Sequence, residues 1–220
     1  MLSRVFSAAV NGIEAYPVEV EVSAGYGETV IVIVGLPDAA VKESRDRVTT
    51  AMASSGYKFS YGRTTINLAP ADVKKEGPSF DLPIALGMLA ASEQIETDQL
   101  DHFVAVGELA LTGAVRPCKG VLPIAIRAKQ EGKTGVLVPA ENAAEAAVVA
   151  GLNIIPVQNL REAAQFLEGE IRIAPAKVNL AEIFDQPLDD DVDFSEVKGQ
   201  ESVKRALEIA SRDVHPTRVH

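Results

Sequence analysis

Cysteine, histidine and tryptophan are scarce here: the 220 residues include one cysteine, three histidines and no tryptophan. Cys118 has no partner for an internal disulfide, and His102, His215 and His220 are too scattered to give the ligand spacing of a metal cluster. A surplus of positive charge is also missing. The 21 Lys and Arg face 31 Asp and Glu, a net charge of −10, which excludes a histone-like or ribosome-coating protein. The longest apolar run, Leu82 to Ala91, falls well short of the roughly 20 residues a bilayer helix needs. The N-terminus carries Arg4 and Glu14 in a strand-like pattern rather than the features of a signal peptide. A cytoplasmic protein with no membrane span, signal peptide or structural metal is expected.

What is present is ordinary globular composition, 47% hydrophobic and 24% charged, which excludes intrinsic disorder and supports a packed core. Short β-branched runs at Arg4–Val10, Val18–Ser23 and Thr29–Val34 are punctuated by Asn11-Gly12, Gly25 and Gly27, so an N-terminal β-meander is predicted. Gly35-Leu36-Pro37-Asp38 then leads into an amphipathic helix to about Ser55, with Asp38 as N-cap. In that helix Val41, Val48 and Met52 share one face, opposite Lys42, Glu43, Arg45, Asp46 and Arg47. A strand follows at Thr64–Leu68, then a buried helix at Asp81–Ala91 and paired strands within Phe103–Leu111. Further on, helices at Val121–Gln130, Asn142–Val149 and Arg161–Leu167 alternate with strands at Val136–Val138 and Ile154–Val157. Such alternation predicts βα units and some parallel pairing.

Composition changes near the C-terminus. Between Ala181 and Glu196 there are seven acidic residues and no basic ones, a self-repelling linker. The predicted organisation is one domain over 1–170, an acidic linker over 171–193, and the start of a further, truncated module over 194–220.

Two stretches carry candidate chemistry. In Asp72-Val73-Lys74-Lys75-Glu76-Gly77-Pro78-Ser79-Phe80-Asp81-Leu82-Pro83, a serine stands at the entry to a buried helix, where backbone amides could hold an oxyanion and a desolvated lysine could serve as base. The plainer expectation is that Ser79 or Asp81 caps the helix while Gly77-Pro78 makes the turn. The second stretch, Lys42 to Lys75, has seven basic and three acidic residues on an otherwise acidic chain. Lys42, Arg45, Arg47, Lys74 and Lys75 are the candidate phosphate contacts, against the alternative of a solvated helix face with its own ion pairs. Gly132-Lys133-Thr134 lacks the glycine and the strand-to-helix order of a phosphate loop and is read as a turn.

Gly35-Leu36-Pro37-Asp38, Ile66-Asn67-Leu68-Ala69-Pro70-Ala71-Asp72, Lys75 to Pro83 and Gly107-Glu108-Leu109, in this order and spacing, resemble the N-terminal domain of the YifB/ComM family of magnesium-chelatase-like AAA+ ATPases. The resemblance implies an α/β, Lon-protease-like and ribosomal-protein-like two-layer fold. Asp193 to Gln200, followed by Val203-Lys204-Arg205-Ala206-Leu207, is similar to the segment that opens the ATPase module, where Val197 and Gly199 border the adenine. The likeness implies no cofactor in this chain, ATP and Mg²⁺ for the full-length protein, a hexameric ring of like subunits, and DNA as partner in ATP-driven remodelling of branched structures. It also places Ser79 where Lon-type proteases carry their nucleophile, within Gly77-Pro78-Ser79. The Lon lysine, by contrast, corresponds to Leu122 in the run Val115 to Leu122, with Lys119 three positions early. A leucine cannot take a proton, so Gly77, Pro78, Ser79 and Lys119 form a pseudo-active site in this reading. The alternative is a Ser-Lys hydrolase centred on Ser79.

Overall fold

The computed structural model describes residues 1–58, 62–96, 98–178 and 198–214. Two compact units are present, Met1–Val178 and Asn179–His220. In the first unit the strands β1 (Leu2–Asn11), β2 (Glu14–Ala24), β3 (Val30–Val34), β4 (Arg63–Ala69), β5 (Phe103–Ala105), β8 (Gly135–Pro139) and β9 (Asn153–Val157) form one sheet in the order β3-β4-β2-β1-β5-β8-β9. A separate ribbon pairs β6 (Glu108–Leu109) with β7 (Val115–Arg116).

β1 and β2 form a hairpin in register from Leu2↔Ser23 to Asn11↔Glu14. Gly12, at φ +64°, supplies the positive φ its two-residue turn requires. Val18, Val20 and Val22 are buried on one side of the sheet, while Glu19 and Glu21 alternate to the other. The expected meander ends at this hairpin, because β3 does not return to β2. It lies beyond β4 and pairs with it in parallel, Ile31 with Thr64 and Ile33 with Ile66. The crossover runs through α1 (Ala39–Ser54), and a parallel neighbour needs such a connection. Phe103–Leu111 also divides differently from the expectation. β5 joins the main sheet between β1 and β8, whereas β6 turns away to β7, so the two do not pair with each other.

Helices cover both faces. On one, α1, α2 (Asp81–Ala91) and α5 (Leu160–Leu167) pack over the alternating valines. α2 is buried almost throughout, and a Cβ at Gly87 would stand 2.7 Å from a methyl of Val22, so this glycine lets the helix lie close on the sheet. On the other face α3 (Val121–Gln130) and the short α4 (Ala143–Ala146) enclose Ala8, Val104, Val136, Val138 and Ile154. α4 is a single turn rather than the eight residues expected at Asn142–Val149.

The compact unit ends at Val178 rather than at 170. Ile173 packs against the core, and the Ala176 amide donates to the Ile154 carbonyl at 2.8 Å, which ties this stretch to β9. Most of the expected acidic linker, and Val197, lie outside the described residues. In the second unit α6 (Glu201–Val214) is the helix expected after Gly199. No helix among the described residues is long and apolar enough to cross a membrane.

Candidate functional site

The Gly35-to-Asp38 segment and the Lys75-to-Ser79 segment meet in space. Lys75 N–H donates to the Leu36 carbonyl at 3.2 Å, and Asp38 N–H donates to the Lys75 carbonyl at 3.0 Å, a parallel bridge centred on Pro37 and Lys75. The Asp38 carboxylate serves both segments. One oxygen accepts from the Val41 amide at 2.8 Å, the predicted N-cap of α1, and the other accepts from the Gly77 amide at 3.2 Å. Gly35 makes the approach possible: its φ is +96°, and a Cβ there would meet the Leu68 carbonyl oxygen at 2.1 Å.

Ser79 lies in the 3-10 turn Pro78–Phe80 that precedes α2. Its carbonyl accepts from the Gly107 amide at 2.9 Å, and the Gly107 carbonyl accepts from the Leu82 amide at 3.0 Å. The Gly107-Glu108-Leu109 segment is thereby fastened to the entry of α2. Neither Ser79 nor Asp81 caps that helix; Phe80 occupies the N-cap position and makes no side-chain bond to it. Among the described residues, Ser79 Oγ has no hydrogen-bond partner, and the side chain is half-buried.

Asp81 instead forms a buried polar knot. Its carboxylate accepts from Arg47 Nε at 2.8 Å and Arg47 Nη2 at 3.1 Å, from the Leu109 amide at 3.2 Å, and from the Ser44 hydroxyl. Asp81 is 0% exposed, so all of this charge is compensated inside the fold. The hydrogen bond to Asp81 holds the Arg47 guanidinium above its ordinary pKa. The sequence signal for the knot is an aspartate at the head of an otherwise apolar helix, which requires a counter-charge once buried.

That pairing removes Arg47 from the set of candidate phosphate contacts. Lys75 is removed too: it is 0% exposed, and its ammonium donates to the Pro70 carbonyl. Burial pushes the Lys75 pKa down, against a weaker upward pull from Asp72. Arg45 and Lys74 are exposed but paired with adjacent carboxylates, Asp46 at 3.0 Å and Glu76 at 2.7 Å. Lys42 is exposed and has no ion pair among the described residues. The local positive surplus is therefore weaker in space than along the chain, because Glu76 and Asp81 lie just past the stretch that carries it.

Lys119 is exposed and has no bond to Ser79. Gly120, at φ +75°, opens α3, and the half-buried Leu122 donates its amide to Glu145 Oε1 at 3.1 Å. Beside them the Cys118 thiol is pushed up to about 12 by burial, with Glu145 and Glu108 adding to it. In the second unit Gly199 has a φ of +74°.

A family model described as subunit ChlI of Mg-chelatase matches residues 18–142. Competence protein ComM of Haemophilus influenzae is 40% identical over 215 residues, covering 97% of this chain and 42% of that protein. The protein YifB of Escherichia coli is 41% identical over 214 residues, covering 97% and 41%. Lon protease 2 of Bacillus subtilis is 30% identical over 177 residues, covering 70% and 31%. The chain thus spans about two fifths of the length of its ComM and YifB relatives.

Proposed function

The chain belongs to the Mg-chelatase ChlI-like family that includes ComM and YifB, and from this premise we propose that it is the non-catalytic N-terminal module of an AAA+ ATPase. In this reading it supports ring assembly and DNA engagement while the remainder of the full-length protein drives remodelling of branched DNA.

The observation that carries the non-catalytic part is Ser79. A Ser-Lys hydrolase needs a lysine amine within about 3.2 Å of the serine oxygen. Among the described residues no lysine bonds Ser79 Oγ, the one fully buried lysine, Lys75, is engaged by Pro70, and the corresponding Lon position is Leu122. Asp81, two residues on, is committed to Arg47 and cannot act as a free base.

ATP and Mg²⁺ are assigned to the parts of the relatives that this chain does not span.

DNA engagement is assigned to Lys42, Arg45 and Lys74. Exposed ion pairs such as those of Arg45 and Lys74 contribute little to stability, so a phosphate can replace the carboxylate at little cost. Binding of a fluorescent four-way DNA junction, measured by anisotropy over a range of salt concentrations, tests this. Reversing all three residues to Glu should weaken binding and flatten the dependence of log affinity on log salt by about 0.9 per lost phosphate contact. An unchanged slope removes these residues from the interface. Sedimentation of the full-length protein with and without the junction reads ring assembly separately. Peptide turnover that vanishes in a Ser79→Ala protein would instead establish the hydrolase.

A further inference from the structure

The two outer strands of the seven-stranded sheet, β3 and β9, end differently. In β9 the Asn153 amide points toward β8, donating to the Thr134 carbonyl, so Ile154 and Pro156 turn their backbone groups outward. The Ile154 carbonyl is taken by the Ala176 amide at 2.8 Å, and Pro156 has no N–H to offer. That edge is closed. β3 has β4 on one side and no strand on the other among the described residues. The Val30 N–H points to β4, 3.4 Å from the Gly62 carbonyl, so the alternation of the strand turns the N–H and C=O groups of Ile31 and Ile33 outward. Neither outward pair has a partner among the described residues.

Native proteins protect a free edge with a charged side chain, a proline, a bulge or a covering segment. Val30-Ile31-Val32-Ile33-Val34 contains no charge, proline or glycine and keeps unbroken register with Arg63 to Asn67. Its sequence also reads the same in both directions. Turned about Val32, each valine falls opposite a valine and each isoleucine opposite an isoleucine, and the outward groups of Ile31 lie where those of Ile33 need them. Between this edge and α1 lies a groove of about 450 Å³ whose helix wall holds Lys42 and Arg45 together with Glu43 and Asp46. Asp46 pairs with Arg45 and Glu43 with Arg47, so the wall is balanced in charge and two copies of it can approach without repulsion.

We infer that β3 pairs antiparallel with β3 of a second copy of this chain, about a two-fold axis through Val32, so that the sheet continues across both copies. The Ile31 N–H donates to the Ile33 carbonyl of the second copy, whose Ile33 N–H donates back to the Ile31 carbonyl, and the axis repeats this exchange. Val32 stands opposite its own counterpart in a close, non-hydrogen-bonded pair. Because the β9 edge is closed, the contact joins two copies and stops there. It is separate from the head-to-tail contacts a ring needs, and so goes beyond the proposed function. Lys42 and Arg45 wall the same groove, so pairing and DNA compete for this side of α1.

Sedimentation equilibrium of the chain without DNA, across the micromolar-to-millimolar range, should show a reversible monomer–dimer equilibrium. The Ile31 and Ile33 amides should exchange with deuterium more slowly as concentration rises. Val32→Lys should raise the dimer dissociation constant about tenfold or more, since like charges set directly opposite one another disfavour pairing, and Val32→Glu should do the same. Mixing the two variants in equal amounts should restore dimers, because the axis then sets opposite charges face to face. Thermal melting confirms that both variants fold, and if either does not, the concentration dependence of exchange at Ile31 and Ile33 decides alone. A parent that stays monomeric throughout this range overturns the inference and leaves the edge to a strand of another protein. So do exchange rates at Ile31 and Ile33 that ignore concentration, folded variants that dimerise as the parent does, and variants that fail to dimerise when mixed.

Discussion

The two faces of the sheet are packed by different rules. On the α1–α2 face, apolar burial is joined to a polar tie, with Asp81 drawing Arg47, Ser44 and the Leu109 amide around one carboxylate. On the α3 face, apolar burial encloses a chamber, and Arg127 beside it pairs with Glu131 near the surface. The contrast separates a face whose architecture depends on a buried charge from one held by apolar packing. The family-like segments around Pro37, Ser79 and Gly107 converge on the first face.

Asp81→Ala is the strongest test of that contrast. It leaves Arg47 half-buried without its counter-charge, and breaking a buried pair costs about 3–5 kcal/mol, so a large fall in the unfolding midpoint in urea is expected. Arg127→Gln on the other face should move the same midpoint far less. Similar shifts for both would erase the distinction.

Asp38→Ala comes next. Loss of an N-cap costs about 0.5–2 kcal/mol, and the upper part of that range is expected because the Gly77 amide loses its acceptor as well. Asp38→Asn keeps one accepting oxygen but turns its NH2 group toward the other amide, so it should recover only part of the stability in thermal melts.

Lys75→Met sharpens the comparison through pH. The folded-state pKa of Lys75 lies below its ordinary 10.5, so between the two values the unfolded chain binds more protons. Stability from this residue therefore rises with pH across that window, and the cost of burying the charged form is felt in full below it. Denaturation of both proteins as pH rises toward 10.5 should show the parent gaining stability relative to the variant. Lys133, whose pKa burial also lowers, adds a rise, and Cys118, whose pKa is raised, adds a fall, in both proteins alike, so the difference between them isolates Lys75.

The smallest effect concerns chemistry alone. With its thiol pushed up to about 12, Cys118 should react with iodoacetamide at pH 8 far more slowly in the native protein than in the denatured one. Rapid labelling of the native protein would show that the α3 face opens near Asn142.

Local signals were legible in the sequence where the cause was local. Asp38 caps α1 because a carboxylate three residues ahead of Val41 reaches its amide, and Gly12 turns the first hairpin because its φ can be positive. The family resemblance was legible in the longer segments, and the family model and the relatives bear it out. The partner of β3 was not, since alternating valine and isoleucine specify a strand but not its neighbour. At the site, spacing placed Ser79 and Asp81 beside a helix entry yet could not tell a cap from an ion pair. That decision belongs to Arg47, thirty-four positions away in the chain. Lys75 stood next to Lys74 in a basic run, but β4 and the turn after it bring the Pro70 carbonyl to its ammonium and take it out of water.

Asp38 also has a dynamic consequence. Its carboxylate binds the amides of Val41 and Gly77 at once, so the first turn of α1 cannot fray without releasing the turn that leads to Ser79. The two segments constitute one cooperative opening unit, and protons at both amides exchange with solvent through a shared excursion.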